Sequence, residues 1–397
     1  MLVDMRLGQA VRVILLLSLC TIAGCQRPAE KVSKEALNSI DQVVREEIEK
    51  GSFPGAVILV GQGREILYRR AFGDQVTTPS QEAMNEDTVF DIASLTKPVA
   101  TAASIMILRD RGKLDLSDCA GKYLPTFACE GKENATIEHL LTHTSGLPAY
   151  ASASELEEQF ASPCPDKVIE KICSLKALSK PGEEFRYSCL GYITLAKIVE
   201  VVSGKKIDVF AAENIFGPLK MNHTAYNPPE SWNQNIAATE VVKGQPAGAW
   251  AGQPLRGTVH DPLAGLMGGI SGNAGVFSTA DDLSIYCRML LNGGTWDGAQ
   301  VLSGESVRLM TGVASHGRAC GFDVQSGYSW IKGSYAPQNT FCHSGYTGTS
   351  IVCDPASKIY VIILTNRAHP NDKGSTKAVR TKVADIVFQT LGQAQKN

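Results

Sequence analysis

Two kinds of hydrophobic pattern follow one another along the chain, and their order predicts the architecture. "LNSIDQVVREEIEKG" (37–51) repeats its apolar positions at helical spacing and stops at Gly51, the pattern of a helix. "GAVILVGQGREILYRRAFG" (55–73) is two apolar runs around Gly-Gln-Gly, the pattern of a hairpin. From Ile92 through Met106 the apolar positions return to helical spacing. Between about 110 and 320 helix and loop dominate, with "IEHLLTHTSGLP" (137–148) and "YITLAKIVEVVSG" (192–204) as clear elements. There "GGISGNAGVFSTADDL" (268–283) is a glycine-rich loop running into a helix capped at Ser278 or Thr279. Strand character comes back in "GYSWIKG" (327–333), "NTFCHSGYTGTSIVCDP" (339–355) and "KIYVIILTNR" (358–367), and a last helix covers 375–392. Strands, then helices, then strands predict an α/β (α+β) fold. One antiparallel sheet, flanked by the N- and C-terminal helices, would carry an α-rich lobe at about 110–320, inserted between its halves.

Composition narrows the function classes. With 397 residues, 44% of them hydrophobic, the chain can bury a large core. A formal charge of −2 without a basic run excludes electrostatic capture of nucleic acid. At the start, Arg6 and Arg12 precede the short apolar run "VILLLSLC" (13–20), which reads as a signal peptide over 1–24. Its end, "IAGC" (22–25), resembles the bacterial lipobox, which implies acylation at Cys25. Gln26 in place of aspartate then favours an outer-membrane position facing the periplasm. Residues 25–36 would tether a single domain spanning 37–397. Of eleven cysteines, nine lie beyond Cys25; in an exported protein Cys119 with Cys129 and Cys164 with Cys173 are the near candidates for pairing. No zinc-type cysteine spacing exists. His139 and His143 in "HLLTH" lack the glutamate of a zinc helix, so no metal is expected.

The candidate chemistry lies in "DIASLTKPVA" (91–100). On a helix, Ser94 and Lys97 share a face, and a serine needs a base beside it to become a nucleophile. The same Ser-x-x-Lys spacing occurs at Ser203–Lys206 and Ser329–Lys332. The first pair reads as an exposed helix end and the second as part of a strand, where residues three apart face opposite sides. Only Ser94 has an apolar helical setting. No Gly-x-Ser-x-Gly occurs, which argues against an α/β-hydrolase elbow.

"FDIASLTKPVATAASIMILRDRGKLDL", "LLTHTSGLP", "PGEEFRYSCLGY", "GNAGVFSTADDL" and "HSGYTGTSIVCDP…VIILTNRAHP" occur in that order. Together they resemble the serine β-lactamase and penicillin-binding-protein superfamily, in its class C-like branch with DD-peptidases and esterases. The resemblance covers the chain from about residue 37 onward and implies a β-lactamase/transpeptidase-like fold and a cofactor-free serine hydrolase. It makes Ser94 the acylated nucleophile, Lys97 its base partner and Tyr187 the tyrosine of the second motif. His343, Ser344 and Gly345 stand at the third motif, with the N–H groups of Ser94 and Tyr346 as the oxyanion hole. Cys189 takes the place where many relatives carry asparagine, and His343 that of a lysine. Both departures point away from efficient β-lactam hydrolysis and toward small acyl esters. A DD-peptidase or weak β-lactamase acting on D-Ala-type wall peptides is the alternative. A non-catalytic envelope protein of penicillin-binding type is the other. Oligomeric state is left open.

Overall fold

The computed structural model describes residues 34–241 and 253–392. The expected signal segment and Cys25 lie outside the described residues. The first helix, α1 (Lys34–Glu49), begins inside the segment expected to be a tether.

Among the described residues six strands form the main sheet: β1 (Gly55–Gln62), β2 (Glu65–Val76), β3 (Glu82–Ala83), β4 (Phe341–Ser344), β5 (Ser350–Asp354) and β6 (Ile359–Thr365). Their spatial order is β3-β2-β1-β6-β5-β4 and every neighbouring pair is antiparallel. The first and last thirds of the chain thus meet along β1 and β6, where Ile58 pairs with Ile363. Both strands read as unbroken apolar runs because the sheet is covered on both faces. Ala56, Ile58, Val60, Val361 and Ile363 pack against α1 and the C-terminal helix α4 (Lys377–Gly392). Val57, Leu59, Ile362 and Leu364 face the helical lobe, which includes α2 (Cys189–Ser203) and α3 (Ala280–Leu291). Each such valine, leucine or isoleucine, buried in full, contributes about 1.5–3 kcal/mol over leaving it in water. Thr279 caps α3, its hydroxyl accepting the Asp282 N–H at 3.2 Å. Among the described residues no helix is long and apolar enough to cross a membrane.

Three expectations need correction. The stretch 92–106 is not one α-helix: a 3-10 turn (Ala93–Leu95) leads into a π-helical segment (Lys97–Ala102) and then an α-helix (Ala103–Asp110). "GYSWIKG" is not a strand, since Ser329–Lys332 form a 3-10 helix. Residues three apart eclipse there, so the strand argument against this pair does not hold. Lys332 is nonetheless no partner for Ser329, because its ammonium donates to the carbonyls of Val324, Gln338 and Thr340 at 2.6, 3.1 and 3.3 Å. Neither expected disulfide is present, and all nine cysteines from Cys119 to Cys353 are free thiols. The Cys129 thiol lies beside Cys173 instead, donating to its carbonyl at 3.3 Å.

Candidate active site

Ser94 sits in the 3-10 turn that follows the short strand Phe90–Asp91. Ala93, just before it, has φ = +47°, a conformation that costs an alanine on the order of 1 kcal/mol. The buried Asp91 carboxylate holds that turn by accepting the N–H groups of Ala93 and His260, each at 2.8 Å. Two threonines of the β4–β5 turn hold the same segment. Thr347 Oγ1 donates to Asp91 O at 2.7 Å and Thr349 Oγ1 to Ile92 O at 3.0 Å. Gly345 is required at this junction, where a Cβ would lie 2.2 Å from Thr349 Oγ1 and 2.5 Å from Ile92 O. Arg380 of α4 holds the turn from the other side, donating to Gly345 O at 3.0 Å and Thr349 O at 2.8 Å.

Lys97 is completely buried one turn after Ser94. Its Nζ lies 3.0 Å from Ser94 Oγ, 2.9 Å from Asn273 O and 3.5 Å from Cys189 Sγ, one acceptor for each N–H of an ammonium. The glycine-rich loop that runs into α3 supplies Asn273 O. It comes this close because Gly272 has no side chain: a Cβ there would meet Tyr192 O at 1.9 Å. Burial works against the Lys97 charge, but the facing Cys189, Tyr187 and Asp261 outweigh it and raise the group above the ordinary lysine value.

Tyr187 approaches the Ser94 hydroxyl and the Lys97 amine from the loop before α2. The loop is fixed on both sides of it. Arg186 N–H donates to His143 O at 2.9 Å and Ser188 N–H to His143 Nδ1 at 3.0 Å. The Tyr187 ring packs 4.4 Å from the His143 ring and 5.3 Å from Tyr328. Burial raises its proton affinity, while Lys97 and, further down, Arg318 pull it back; the net direction is up.

His343 lies on β4, buried, with Nδ1–H donating to Ser344 O at 3.0 Å. Burial, and then the positive charges of Arg318 and Lys97, push its pKa well below the ordinary histidine value, so the ring is neutral. Position 343 therefore carries no cation. Ser344, Gly345 and Tyr346 continue the cleft wall, and Tyr346 stacks on His260 at its lip (centroids 5.6 Å apart, 21° between planes). The N–H groups of Ser94 and Tyr346 have no acceptor among the described residues. Together these residues enclose a cleft of about 290 Å³ that reaches Ser94. Its two lining arginines are already engaged: Arg380 as described, and Arg367 with Asp372 Oδ1 at 3.0 Å and Tyr346 O at 2.6 Å.

The structure thus brings Ser94, Lys97, Tyr187, Cys189, His343, Ser344, Gly345 and Tyr346 to one place. Among the described residues no cluster of three side chains could hold a metal ion, and His139 is occupied as the partner of the Thr136 cap. Sequence reasoning missed Asp91, Thr347, Thr349 and the Asn273 carbonyl, which act across long separations and leave no local pattern. For Arg380 a signal existed: it stands in the apolar stripe with Val383, Ala384 and Val387.

This constellation can be set beside known proteins. The Beta-lactamase family profile matches residues 40–385. The chain belongs to the beta-lactamase family. Among its relatives, a protein of Bacillus subtilis (strain 168) named N-acetylmuramyl-L-alanine amidase is 32% identical over 363 residues, covering 85% of this chain and 82% of that one. A candidate D-alanyl-D-alanine carboxypeptidase of Escherichia coli (strain K12) is 31% identical over 367 residues, covering 84% and 83%. In fold the chain resembles EstCE1, a hydrolase with promiscuous acyltransferase activity (TM-score 0.72, 22% identity, 90% of this chain and 100% of that one). This beta-lactamase family member is accordingly a serine hydrolase by family, with the mixed, lobe-inserted fold that the order of its hydrophobic patterns predicts.

Proposed function

We propose that the protein hydrolyses small, uncharged acyl esters through an acyl-enzyme on Ser94. The observation that carries this reading is the buried Lys97 ammonium 3.0 Å from the Ser94 hydroxyl, beside Tyr187. Ser94 Oγ attacks the substrate carbonyl as its proton passes to the Tyr187–Lys97 pair. The N–H groups of Ser94 and Tyr346 bind the oxyanion; losing one such donor typically costs about 100- to 1,000-fold in rate. The pair returns the proton to the leaving alcohol, and water repeats the sequence to release the acid. The preference for uncharged substrates is supported by the neutral His343 and by the two engaged arginines, which leave no free cation in the described cleft wall for a substrate carboxylate. The test compares turnover of a short-chain nitrophenyl ester with that of a D-Ala-D-Ala peptide. Cleavage of the peptide alone would overturn the ester assignment.

A second reading, amide hydrolysis in cell-wall fragments, is favoured by the names of the relatives at 31–32% identity. An N-acetylmuramyl-L-alanine substrate tested beside the two above separates it from the first. Cys189 bears on this choice, because a thiol is a poor substitute for a carboxamide that would orient a substrate amide. Cys189→Asn is expected to raise amide turnover more than ester turnover. An unchanged ratio would remove Cys189 from the specificity of the site.

The same electrostatics set a pH dependence. Lys97 and Tyr187 are both raised, so at neutral pH the resting pair is an ammonium and a phenol, which must lose one proton before it can act as a base. The rate of acylation is expected to climb with pH through neutrality and to keep climbing into the alkaline range, past the ordinary tyrosine value. Stopped-flow acylation by an activated ester checks this; a rate that is flat or falling above neutrality would contradict it.

A further inference from the structure

Below Tyr187 lies a charged group that the reaction described so far does not use. Arg318 is completely buried, and its guanidinium carbon is 6.0 Å from the Tyr187 ring centroid and 5.9 Å from that of Phe185. Its counter-charge is Asp323, with Nη1 and Oδ2 2.5 Å apart. Close as the pair is, none of the guanidinium nitrogens makes an aligned hydrogen bond among the described residues. A buried ion pair is weak support for stability, because desolvating both charges offsets most of their attraction. An apolar pair of equal volume would serve packing as well.

The pair is also firmly placed. Asp323 bridges the outer edge of β4 through two backbone hydrogen bonds with Cys342, each 2.8 Å, and its carboxylate accepts the Ser326 hydroxyl. Arg318 is fixed in its own turn, N–H to Ser315 O at 2.7 Å. The guanidinium is thereby tied to the strand that carries His343.

The titratable and charged groups facing Tyr187 come from every element around it. They are Lys97 from the nucleophile segment, Cys189 and Tyr192 from α2, His143 from the loop after Leu141, His343 from β4, Tyr328, and the Arg318–Asp323 pair. Both imidazoles are held neutral, by burial first and then by these same cations. Among the described residues, Lys97 and Arg318 are therefore the two positive charges at the phenol. Lys97 is 5.1 Å from the ring centroid and touches the nucleophile; Arg318 touches neither nucleophile nor cleft.

We propose that Arg318, held by Asp323, is a positioning residue of the active site, the second cation that supports Tyr187 as it takes the proton from Ser94. The inference rests on the reading of Tyr187 as that acceptor. It acts on the charge the Tyr187 oxygen gains in the transition state, and not on substrate binding.

The test is the pH dependence of acylation by a nitrophenyl ester, measured with the full chain. Arg318→Met combined with Asp323→Asn removes both charges and leaves neither buried alone. It is expected to move the rising limb about one pH unit upward, a roughly tenfold loss of acylation at neutral pH. Asp323→Asn alone leaves the guanidinium unopposed and is expected to move the limb downward. Arg318→Lys, which keeps the charge, is expected to stay nearer to wild type than the double variant. These opposite directions separate an electrostatic role from damage to the fold, and the two single variants give the answer if the double variant does not fold. A limb that stays in place in every folded variant, with only Tm lowered, would overturn the proposal. Tyr187→Phe serves as the control for the underlying reading. If it acylates at the wild-type rate, Tyr187 is not the acceptor; if it is crippled while the arginine variants keep the wild-type limb, only the role of Arg318 falls.

Discussion

Ser94→Ala is expected to lower ester turnover by about 1,000-fold or more while leaving the fold intact. Without the hydroxyl no acyl-enzyme can form. The residual rate would come from the donors at Ser94 and Tyr346, which still polarise a bound carbonyl toward water. The structural cost is small. Lys97 keeps Asn273 O and Cys189 Sγ as acceptors, and Ser94 is only half-buried, so water can take the position of its hydroxyl. Loss of one neutral hydrogen bond is worth about 1 kcal/mol. Steady-state kinetics and a thermal melt measured together check this. A variant that keeps more than about a tenth of wild-type turnover would contradict Ser94 as the nucleophile.

Lys97→Met is expected to lower the acylation rate by about 1,000-fold and to leave stability unchanged or raised. The methionine fills nearly the same volume. Ser94 loses the donor that orients its hydroxyl, and Tyr187 loses the nearer of its two cations. The variant also no longer has to desolvate a charge at a site with no solvent exposure, and that gain exceeds the hydrogen bond Asn273 O gives up. Activity and stability moving apart is the signature of a residue kept for chemistry. Single-turnover acylation and Tm are the measurements. A large fall in Tm with acylation within tenfold of wild type would make Lys97 a structural ion instead.

Local pattern made some of this molecule legible and long-range contact concealed the rest. The β1–β2 hairpin, α3 with its Thr279 cap and the closing helix α4 were readable because turn residues and hydrophobic period act over a few positions. The stretch 327–333 was misread as a strand: Tyr328 and Trp330 look like strand residues, but the segment packs as a 3-10 turn between β4 and α4. The cysteine pairs were misjudged because nearness in sequence stood in for nearness in space; Cys129 meets Cys173, not Cys119. Within the site, Ser94, Lys97 and Tyr187 lie in short motifs. The groups that hold them do not. Nothing local in the sequence marks Arg318 and Asp323 before the fold closes over them, and Thr347 and Thr349 become anchors only where β4 and β5 lie against the segment before Ser94.

The central claim is that Ser94 is acylated. Its most direct test is intact-mass analysis of the protein after brief exposure to a slow acylating ester, followed by peptide mapping of the adduct. The account predicts one acyl increment, carried by the peptide that contains Ser94. An increment on the Cys189 peptide, or none on protein shown to be folded, would contradict it.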